Sequence, residues 1–452
     1  MKKLSFNKGF LLCFALMTFS VSSAPPNFVF ILTDDQGWSQ VSHLPHPDME
    51  EARSTYLETP NMTRIAVEGM RFTRGYSPAP LCTPTRRSIV CGASAARSGT
   101  EFVSRYIPHQ HMTIPKALKM TGNNYVCAHF GKWGERMIST PEECGYDLSD
   151  GETGNVTGGM KEKEKNYHLV DDPKRTNSVT DRAISFIKDQ KKAGKPFYAQ
   201  ISYYATHLRV ELEEKSLKKY QEKGKPDRKY TPGWAGMLGE MDTAIGRILT
   251  ALDEMEIADN TYVVFMTDNG GRGEIPQAAK EGLAPNFPLK GAKHTLDEGG
   301  IRVPFYVRGP GIKANSWCHE PVAGYDLLPT FYQLAGGTKS LPNEVDGGSI
   351  VNLLKGHAEK SVKRGMDGLV FHRPRQRVSV YTKGAYKLLL NWQETKPGKA
   401  YLYNTLKDAT ESTDLSAKMP ERVADMKKSL LTYLKSINAE TVNDVPKKRK
   451  GF

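Results

Sequence analysis

The chain alternates between short, continuous apolar runs and longer amphipathic stretches. Four apolar runs rich in aromatic and β-branched residues are Asn27–Leu32, Tyr125–Phe130, Phe197–Tyr204 and Tyr262–Met266. Runs of this kind predict strands buried on both faces. Between them, Ser178–Lys191 and Gly236–Met255 carry apolar residues at helical spacing and predict helices. This order of elements predicts an α/β fold in which a large, mostly parallel or mixed sheet is sandwiched by helices.

The pattern changes in the C-terminal part of the chain. After residue 356 it consists of short β-like runs, Arg377–Thr382 and Tyr386–Trp392, followed by a helical pattern over Pro420–Ile437. We therefore expect a main domain over residues 25–356 and a smaller α+β subdomain over residues 357–452. Within the main domain, the highly charged segment Glu211–Tyr230 is expected to be a solvated surface insertion.

The first 24 residues have a different character. A basic stretch containing Lys2 and Lys3 precedes an apolar stretch from Gly9 to Val21, and small residues end at Ala24. This order is typical of a secretory signal peptide. The apolar stretch is shorter than the roughly 20 residues that a membrane-spanning helix needs. We expect an exported protein, periplasmic or secreted, without a transmembrane segment.

Composition and charge narrow the possible classes of protein. Hydrophobic residues make up 38% of the chain, which excludes a disordered polyelectrolyte. The 6 cysteines are too few for a disulfide-rich scaffold, and no C-x-x-C pair suggests a zinc site. The net charge of +13 indicates either a polyanionic partner or an ordinary basic surface.

Acidic turns follow two of the predicted strands. Asp34 and Asp35 come directly after the first apolar run, and Asp268 and Asn269 come after the run that ends at Met266. Ligands of such sheets bind beyond the carboxyl ends of the strands, where these turns would meet. A set of carboxylate and amide oxygens suits Ca²⁺ or Mg²⁺ and argues against zinc. The two turns together predict a site for a hard cation.

A helix is predicted to begin near Cys82. Thr83 is expected to be the N-cap residue and Pro84 the first helical residue. Cys82 would then lie at the positive end of the helix, which favours a thiolate, and Arg86 would add a bidentate donor for an oxyanion. The alternative for Cys82 is a buried structural cysteine. That alternative is our expectation for Cys91, Cys127, Cys144 and Cys318, which could include an unassigned disulfide.

The segment Cys82–Arg86 resembles the C-x-P-x-R signature of the formylglycine-dependent sulfatases, a family of the alkaline phosphatase superfamily that includes bacterial polysaccharide sulfatases. Other segments that resemble the family follow in the family's order. They are Pro26–Gln36, Lys195–His207, Asp268–Gly270 and Glu298–Pro304. The resemblance extends from about residue 26 to 415.

The resemblance implies a nucleophile and a metal centre. Cys82 would be oxidised by a formylglycine-generating maturation enzyme to formylglycine (3-oxoalanine), whose hydrated aldehyde is the nucleophile of the family. Calcium would be held by five residues, namely Asp34, Asp35, Cys82, Asp268 and Asn269.

The resemblance also implies roles for the basic residues around this centre. Arg86, Lys132 and Lys293 would hold oxygens of the nucleophile or of the sulfate, and His207 would protonate the departing sugar oxygen. One position departs from the family. Gly134 stands where the family commonly has a histidine that contacts the formylglycine. His294, next to Lys293, is our candidate for that role.

The resemblance therefore implies a sulfatase that hydrolyses sulfate esters on a sulfated polysaccharide or its oligosaccharides. The expected partner is a sulfated glycan and not a nucleic acid. Sugar binding is assigned to His294 and to the basic cluster Phe371–Arg377, within which His372 and Arg375 are the candidates. The alternatives are a phosphodiesterase or phosphonate hydrolase of the same superfamily, and a catalytically silent glycan-binding relative.

Overall fold

The structure is a computed structural model that describes residues 24–159, 167–357 and 361–444. The predicted signal peptide, residues 1–24, lies outside the described residues except for Ala24. Among the helices that the structure describes, none combines the length and the apolar character needed to cross a membrane.

The described residues form strands and helices in alternation. The strands are β1 (Asn27–Thr33), β2 (Met70–Phe72), β3 (Gly75–Tyr76), β4 (Val126–Gly131), β5 (Leu148–Ser149), β6 (His168–Leu169), β7 (Phe197–Ser202), β8 (Glu211–Leu212), β9 (Thr261–Thr267), β10 (Phe305–Arg308), β11 (Ser316–Cys318), β12 (Val322–Ala323), β13 (Leu369–Arg373), β14 (Val378–Lys383), β15 (Tyr386–Gln393) and β16 (Lys396–Asn404). The helices are α1 (Pro60–Glu68), α2 (Cys82–Cys91), α3 (Ala95–Ser98), α4 (Ile114–Lys119), α5 (Thr176–Ala193), α6 (Glu214–Glu222), α7 (Pro232–Glu254), α8 (Glu298–Ile301), α9 (Leu327–Leu334), α10 (Val351–Leu354) and α11 (Pro420–Ser436). Short 3₁₀ turns occupy Glu50–Ala52, Pro108–Gln110, Pro173–Arg175, Ala258–Asn260, Gly324–Asp326 and Pro374–Gln376.

The large sheet has eight strands in the order β11-β2-β10-β9-β1-β7-β4-β5. The four strands predicted from the apolar runs form its centre and pair in parallel, β9 with β1, β1 with β7 and β7 with β4. The sheet becomes mixed on one side because β10 runs antiparallel to both β9 and β2. The predicted fold class, a mostly parallel or mixed sheet, is confirmed.

Helices cover both faces of the large sheet. Alternate residues of β1 point to opposite faces and pack against these helices. Val29 and Ile31 pack against α1, α5 and α7 on one face, in a cluster that includes Ile65 of α1. Phe28 and Phe30 pack on the other face against α2, α4 and α9. Since both faces are apolar, β1 is a continuous run of buried residues, as the sequence predicted.

A separate antiparallel sheet forms the C-terminal part of the chain. Its four strands follow the order β13-β14-β15-β16. Leu388 and Leu402 pack on one side with Leu430 of α11, while Phe371 and Val380 pack on the other side in a cluster with Tyr76 of the main domain. The expected small α+β unit is therefore present, and its exact limits at residues 357–452 stay a prediction.

The segment Glu211–Tyr230 differs from its expected form. It is not a solvated insertion, because it contributes β8 and α6, and Leu217 and Tyr220 of α6 are buried in the same core as α7. The charged residues of α6 itself lie on its outer face. Their number concealed the apolar stripe that anchors the helix.

Candidate active site

Two neighbouring strand ends bring the predicted metal ligands together. Asp34 and Asp35 follow β1, while Asp268 and Asn269 follow β9, and these two strands pair in parallel and in register. All four side chains are buried, with exposures of 0 to 1%. The Asp35 backbone N–H donates to Asp268 Oδ1 over 3.3 Å, which joins the two turns directly.

Helix α2 presents Cys82 to this cluster, but it begins two residues earlier than predicted. Cys82 is its first residue and Leu81 is the N-cap residue, without a side-chain cap. The prediction of Thr83 as the N-cap is wrong, because its hydroxyl accepts the Glu135 backbone N–H over 3.0 Å instead. Thr83 thereby ties α2 to the segment that follows β4.

Cys82 contacts both a carboxylate and an ammonium group. Its Sγ is 3.5 Å from Asp34 Oδ1 and 3.4 Å from Lys293 Nζ, and the residue is 2% exposed. Burial, together with the Asp268 and Asp34 carboxylates, raises the pKa of the Cys82 thiol to about 12. Burial and the two carboxylates therefore disfavour a thiolate, in contrast to the effect expected from the helix end. The other four cysteines of the described residues are buried free thiols, in agreement with a structural role.

Arg86 and Lys132 neutralise the carboxylates from one side. Arg86 donates from Nε and Nη2 to Asp268 Oδ2 over 2.9 and 2.7 Å, and from Nη1 to the Lys132 carbonyl over 2.6 Å. Lys132, at the end of β4, donates to Asp34 Oδ2. Burial alone would raise the pKa of Asp34, but Lys132 reverses this effect and holds the pKa below its usual range.

Lys293 pairs with the other carboxylate of the first turn, Asp35. Its Nζ donates to Asp35 Oδ1 over 2.5 Å, and only 8% of the residue is exposed. Burial opposes the charge on both groups, but the pair overcomes this cost. As a result the pKa of Asp35 is lowered and that of Lys293 is raised.

His207 follows β7 and lies at the edge of the same cluster. Its Nε2 is 3.9 Å from Asp35 Oδ2, and its Nδ1 is 2.8 Å from the Leu208 carbonyl oxygen. Since a carbonyl oxygen only accepts, Nδ1 carries the proton and donates it to Leu208. Burial and the Lys293 charge lower the pKa of His207 to about 3. The imidazole is therefore neutral at neutral pH, and Nε2 faces the carboxylates.

The cluster offers a suitable set of ligands for a hard cation. Ligand atoms of Asp34, Asp35, Cys82 and His207 all lie within 4.8 Å of one another. Asp35 Oδ2 and Asn269 Oδ1 are buried without a hydrogen-bond partner among the described residues. An orphaned buried oxygen is costly unless a cation or water satisfies it. These two oxygens therefore fit a metal ligand set, whereas Asp268 is turned toward Arg86.

His372, a predicted sugar-binding residue, is enclosed by the C-terminal part of the chain. The ring is 6% exposed, and both nitrogens already have protein partners. Nδ1 lies 2.6 Å from Ser379 Oγ, and Nε2 lies 2.7 Å from the Glu440 carbonyl oxygen. A sugar hydroxyl would have to displace one of these bonds. His372 therefore contributes to the packing of the C-terminal sheet, and its role in sugar binding stays a prediction.

Arg375 and His294 remain at the surface. Arg375 is 34% exposed in its side chain and lies 3.5 Å from Glu101 Oε1. His294 is exposed, and its backbone N–H donates to the Pro80 carbonyl over 2.9 Å. The two residues lie on different elements, but Arg373 joins them, since it precedes Arg375 in the chain by two positions and donates to the His294 carbonyl.

The position of the missing histidine, Gly134, has a restricted backbone and little space. Its φ is +144°, a conformation that side-chain-bearing residues rarely adopt. A Cβ at this position would lie 3.0 Å from Met137 Cγ and 3.5 Å from Thr83 Oγ1. Met137 and Thr83 therefore occupy the volume that a larger residue would need.

Sequence reasoning missed Arg272. This residue follows the Asp268–Gly271 turn, and its Nη1 lies 3.8 Å from Asp35 Oδ2 with 32% of the side chain exposed. The available signal was its position three residues after Asn269, as the only basic residue of the stretch 268–272. Arg272 adds a partly exposed positive charge at the edge of the carboxylate cluster.

Comparison with known proteins gives a consistent assignment. A family model described as Sulfatase matches residues 26–337. The chain is 27% identical to a sulfatase from Formosa agariphila, covering 92% of this chain and 90% of that protein, and 28% identical to the N-acetylgalactosamine-6-sulfatase of Canis lupus familiaris, covering 83% and 74%. The crystal structure of Ps i-CgsB in complex with k-i-k-neocarrahexaose superimposes with a TM-score of 0.73 at 24% identity, covering 91% of this chain and 93% of that one. On the extent of the family match, we conclude that the chain belongs to the sulfatase family.

Proposed function

We propose that this protein hydrolyses sulfate esters carried by a sulfated polysaccharide or by its oligosaccharides. The observation that carries the proposal is the position of Cys82, the first residue of α2, in contact with both Asp34 and Lys293. A residue at this point can attack a bound anion from a site whose carboxylates and ammonium groups are already arranged. Relatives named for N-acetylgalactosamine-6-sulfate and structures named for a carrageenan oligosaccharide support a glycan as the substrate.

We propose that Cys82 acts after conversion to formylglycine and that the carboxylates hold Ca²⁺. When bound, these groups supply an oxygen nucleophile and a divalent charge that neutralises the sulfate. The proposed ligands are Asp34, Asp35, Asp268, Asn269 and residue 82. Support comes from the two orphaned oxygens of Asp35 and Asn269 and from the absence of a stabilised thiolate at Cys82.

The basic residues of the site have separate tasks in this proposal. Arg86 holds Asp268 in place through two hydrogen bonds and holds the backbone of Lys132 through a third. Lys132 pairs with Asp34 and Lys293 pairs with Asp35, so a sulfate bound at this cluster would meet two ammonium groups. This arrangement orients the ester and lowers the cost of charge that develops on its oxygens.

His207 is the proposed donor of a proton to the departing sugar oxygen. The ring is fixed by the bond from Nδ1 to the Leu208 carbonyl, which leaves Nε2 directed at the carboxylate cluster. The pKa of about 3 belongs to the ring beside two ammonium groups. A bound sulfate ester brings negative charge next to the ring and raises its affinity for a proton.

The sugar-reading part of the site is proposed to include Arg375 and His294, both exposed beside the Lys293 side of the cluster. Arginine suits bidentate recognition of sulfate or carboxylate groups on a glycan. We further propose that the N-terminal residues 1–24 export the chain to the periplasm or the exterior, and that a formylglycine-generating enzyme is a transient partner.

The deciding experiment is to incubate the protein with a panel of sulfated oligosaccharides and to measure released sulfate by ion chromatography. Phosphate diesters and phosphonate esters in the same panel test the alternative of a phosphorus ester hydrolase. The Cys82→Ala variant serves as the matched control. Sulfate release that requires Cys82 supports the proposal, whereas preferential release from the phosphorus esters, or glycan binding without turnover, would replace it.

A further inference from the structure

The segment that carries Lys293 is an irregular loop, residues 291–298, which we name the Lys293 loop. It lies between β9 and β10 and includes only the first residue of α8. Its Lys293 side chain is the one that reaches both Cys82 Sγ, over 3.4 Å, and Asp35 Oδ1, over 2.5 Å. The position of this ammonium group therefore depends on what holds the loop.

The main domain supports the loop through its backbone. The Lys293 N–H donates to the Gly271 carbonyl over 2.9 Å, and the His294 N–H donates to the Pro80 carbonyl over 2.9 Å. These bonds attach the loop to the turn after β9 and to the residues before α2. They use the two N–H groups and leave the His294 carbonyl to be satisfied from elsewhere.

That partner comes from the C-terminal sheet. Arg373, the last residue of β13, donates from Nη1 to the His294 carbonyl over 2.6 Å. Its side chain is 6% exposed, and its Nε lies 3.4 Å from Glu101 Oε1. Glu101 therefore holds the guanidinium, and the guanidinium holds the loop at the residue next to Lys293.

A second anchor from the C-terminal part lies at the other end of the loop. The Glu298 backbone N–H donates to Glu411 Oε2 over 2.8 Å. Lys387 of β15 lies 3.0 Å from Glu298 Oε1 and 2.8 Å from Glu411 Oε1, and it is 0% exposed. Burial opposes the charge of Lys387, but the two carboxylates raise its pKa above the usual range. The C-terminal part thus contacts the loop at residue 294 and at residue 298.

We propose that the C-terminal sheet sets the position of Lys293, and that Arg373 is the positioning residue through which it does so. The inference deepens the proposed sulfatase function, on which it rests for its kinetic readout. It assigns a second task to the basic cluster Phe371–Arg377. Arg375 is exposed, where a sugar can reach it. Arg373 is buried and donates to the Lys293 loop.

The expected effect of Arg373 on activity depends on how much displacement the contacts of Lys293 tolerate. Lys293 bonds to Asp35 and Cys82 at normal hydrogen-bond distances, so a shift of about 1 Å removes both contacts. Without Arg373, the His294 carbonyl loses its side-chain donor, and Glu101 keeps only its contact with the more exposed Arg375. The loop then moves toward water, and Lys293 moves with it.

The test compares Arg373→Met with a matched control, Arg364→Met. Arg364 is equally buried, at 4% side-chain exposure, and also joins a carboxylate, Asp326, to a backbone carbonyl, that of Pro321. Both variants lose a buried arginine pair, but only the first loses a contact with the Lys293 loop. We expect kcat/KM to fall roughly ten- to a hundredfold in Arg373→Met and less than about twofold in Arg364→Met.

Two further measurements separate positioning from a general loss of structure. In a Lys293→Ala background, Arg373→Met should cause no additional loss of kcat/KM, because its effect passes through Lys293. Amide exchange followed by mass spectrometry should become faster in the Lys293 loop of Arg373→Met and stay as in the wild type in Arg364→Met. Arg373→Lys, which keeps one donor, should recover part of the activity.

The outcomes are distinct. Additive losses in the double variant, or equal losses of activity in Arg373→Met and Arg364→Met, would overturn the assignment of Arg373. Unchanged exchange in the loop of Arg373→Met would overturn it as well. If the wild-type protein releases no sulfate, the proposed function fails, and the exchange measurement still decides whether Arg373 holds the loop.

Discussion

Arg86 donates two hydrogen bonds to the same oxygen of Asp268, from Nε over 2.9 Å and from Nη2 over 2.7 Å. Both side chains are buried, with exposures of 1% and 0%. Burial and the Asp34 charge nevertheless raise the pKa of Asp268 to about 6, so this carboxylate is the least firmly ionised of the cluster. A divalent cation would complete the compensation that Arg86 begins.

We predict that Asp268→Asn weakens Ca²⁺ binding by at least about tenfold, which corresponds to about 1.4 kcal/mol. The substitution keeps the shape of the side chain and removes one buried ligand charge. Calorimetric titration of chelator-treated protein with Ca²⁺ measures the effect. Asp346→Asn is the control, because Asp346 is also buried but pairs with Arg97 outside the cluster. Equal Ca²⁺ affinity in Asp268→Asn and the wild type would remove Asp268 from the ligand set.

For His207, the expected result is a loss that depends on the leaving group. His207→Gln should lower kcat on a sulfated sugar by roughly a hundredfold or more, because a sugar alkoxide needs a proton as it departs. A sulfate ester of an acidic phenol should lose much less, since its leaving group is stable as an anion. Steady-state rates on both substrates give the comparison. The same loss on both would mean that His207 contributes to binding or metal coordination and not to protonation.

The peptide that contains Cys82 should carry formylglycine in protein co-produced with a formylglycine-generating enzyme. Peptide mass spectrometry detects the replacement of the thiol by an aldehyde. Cys82→Ala should abolish sulfate release, while Cys318→Ala, which alters another buried thiol, should leave it intact. An active preparation that contains only unmodified Cys82 would contradict the proposed nucleophile.

His372 should make the protein more sensitive to acid. Burial lowers its pKa from 6.5 to about 4, so the unfolded chain takes up a proton in a range where the folded chain does not. The contribution of the neutral His372 ring to the free energy of unfolding is therefore fully present above pH 6.5. It decreases as the pH falls toward 4, by about 2 kcal/mol at pH 5. Protonation would also cost the bond that Nδ1 accepts from Ser379.

The measurement is the free energy of unfolding in urea at pH 7.5 and pH 5. His372→Gln should be less stable than the wild type at pH 7.5 but should lose about 2 kcal/mol less on acidification. If acidification destabilises His372→Gln as much as the wild type, the titration of His372 does not contribute.

Arg375 is expected to bind the sugar part of the substrate. Arg375→Ala should raise KM for a sulfated oligosaccharide about five- to tenfold, near 1 kcal/mol, and should hardly change KM for a small aryl sulfate. Lys428→Ala, at an exposed position of α11, controls for the loss of one positive charge. Equal changes on both substrates would place Arg375 outside the sugar-binding surface.

Much of the fold and of the metal cluster could be predicted because both depend on patterns local to the chain. The apolar runs that became β1 and β9 are buried on both faces, and they contain no charged residue before the strands end. The first polar residues after each run then lie at one edge of the sheet, since the strands are parallel. Asp34, Asp35, Asp268 and Asn269 were brought together by this rule alone.

The supporting contacts could not be predicted in the same way. Lys387, Glu298 and Glu411 form a buried ion cluster, yet charged residues in a sequence are typically solvated, and nothing local shows that these three meet. The residue type of Thr83 predicts a helix N-cap. In the structure its hydroxyl instead accepts the backbone N–H of Glu135, which lies far along the chain. The basic cluster Phe371–Arg377 predicts a sugar-binding role for His372, but in the structure its ring nitrogens contact Ser379 and the Glu440 carbonyl. Contacts between distant segments decide all three cases.

The burial of Cys82 bears on whether its proposed oxidation precedes or follows folding. At 2% exposure, with Sγ enclosed by Asp34 and Lys293, the thiol of the folded protein offers no surface to another enzyme. The proposed oxidation must therefore take place on the nascent or unfolded chain, before α2 docks on the large sheet. Folding speed and maturation then compete, and a chain that folds first is locked in an inactive form. The fraction of active protein would thus record which of the two processes was faster.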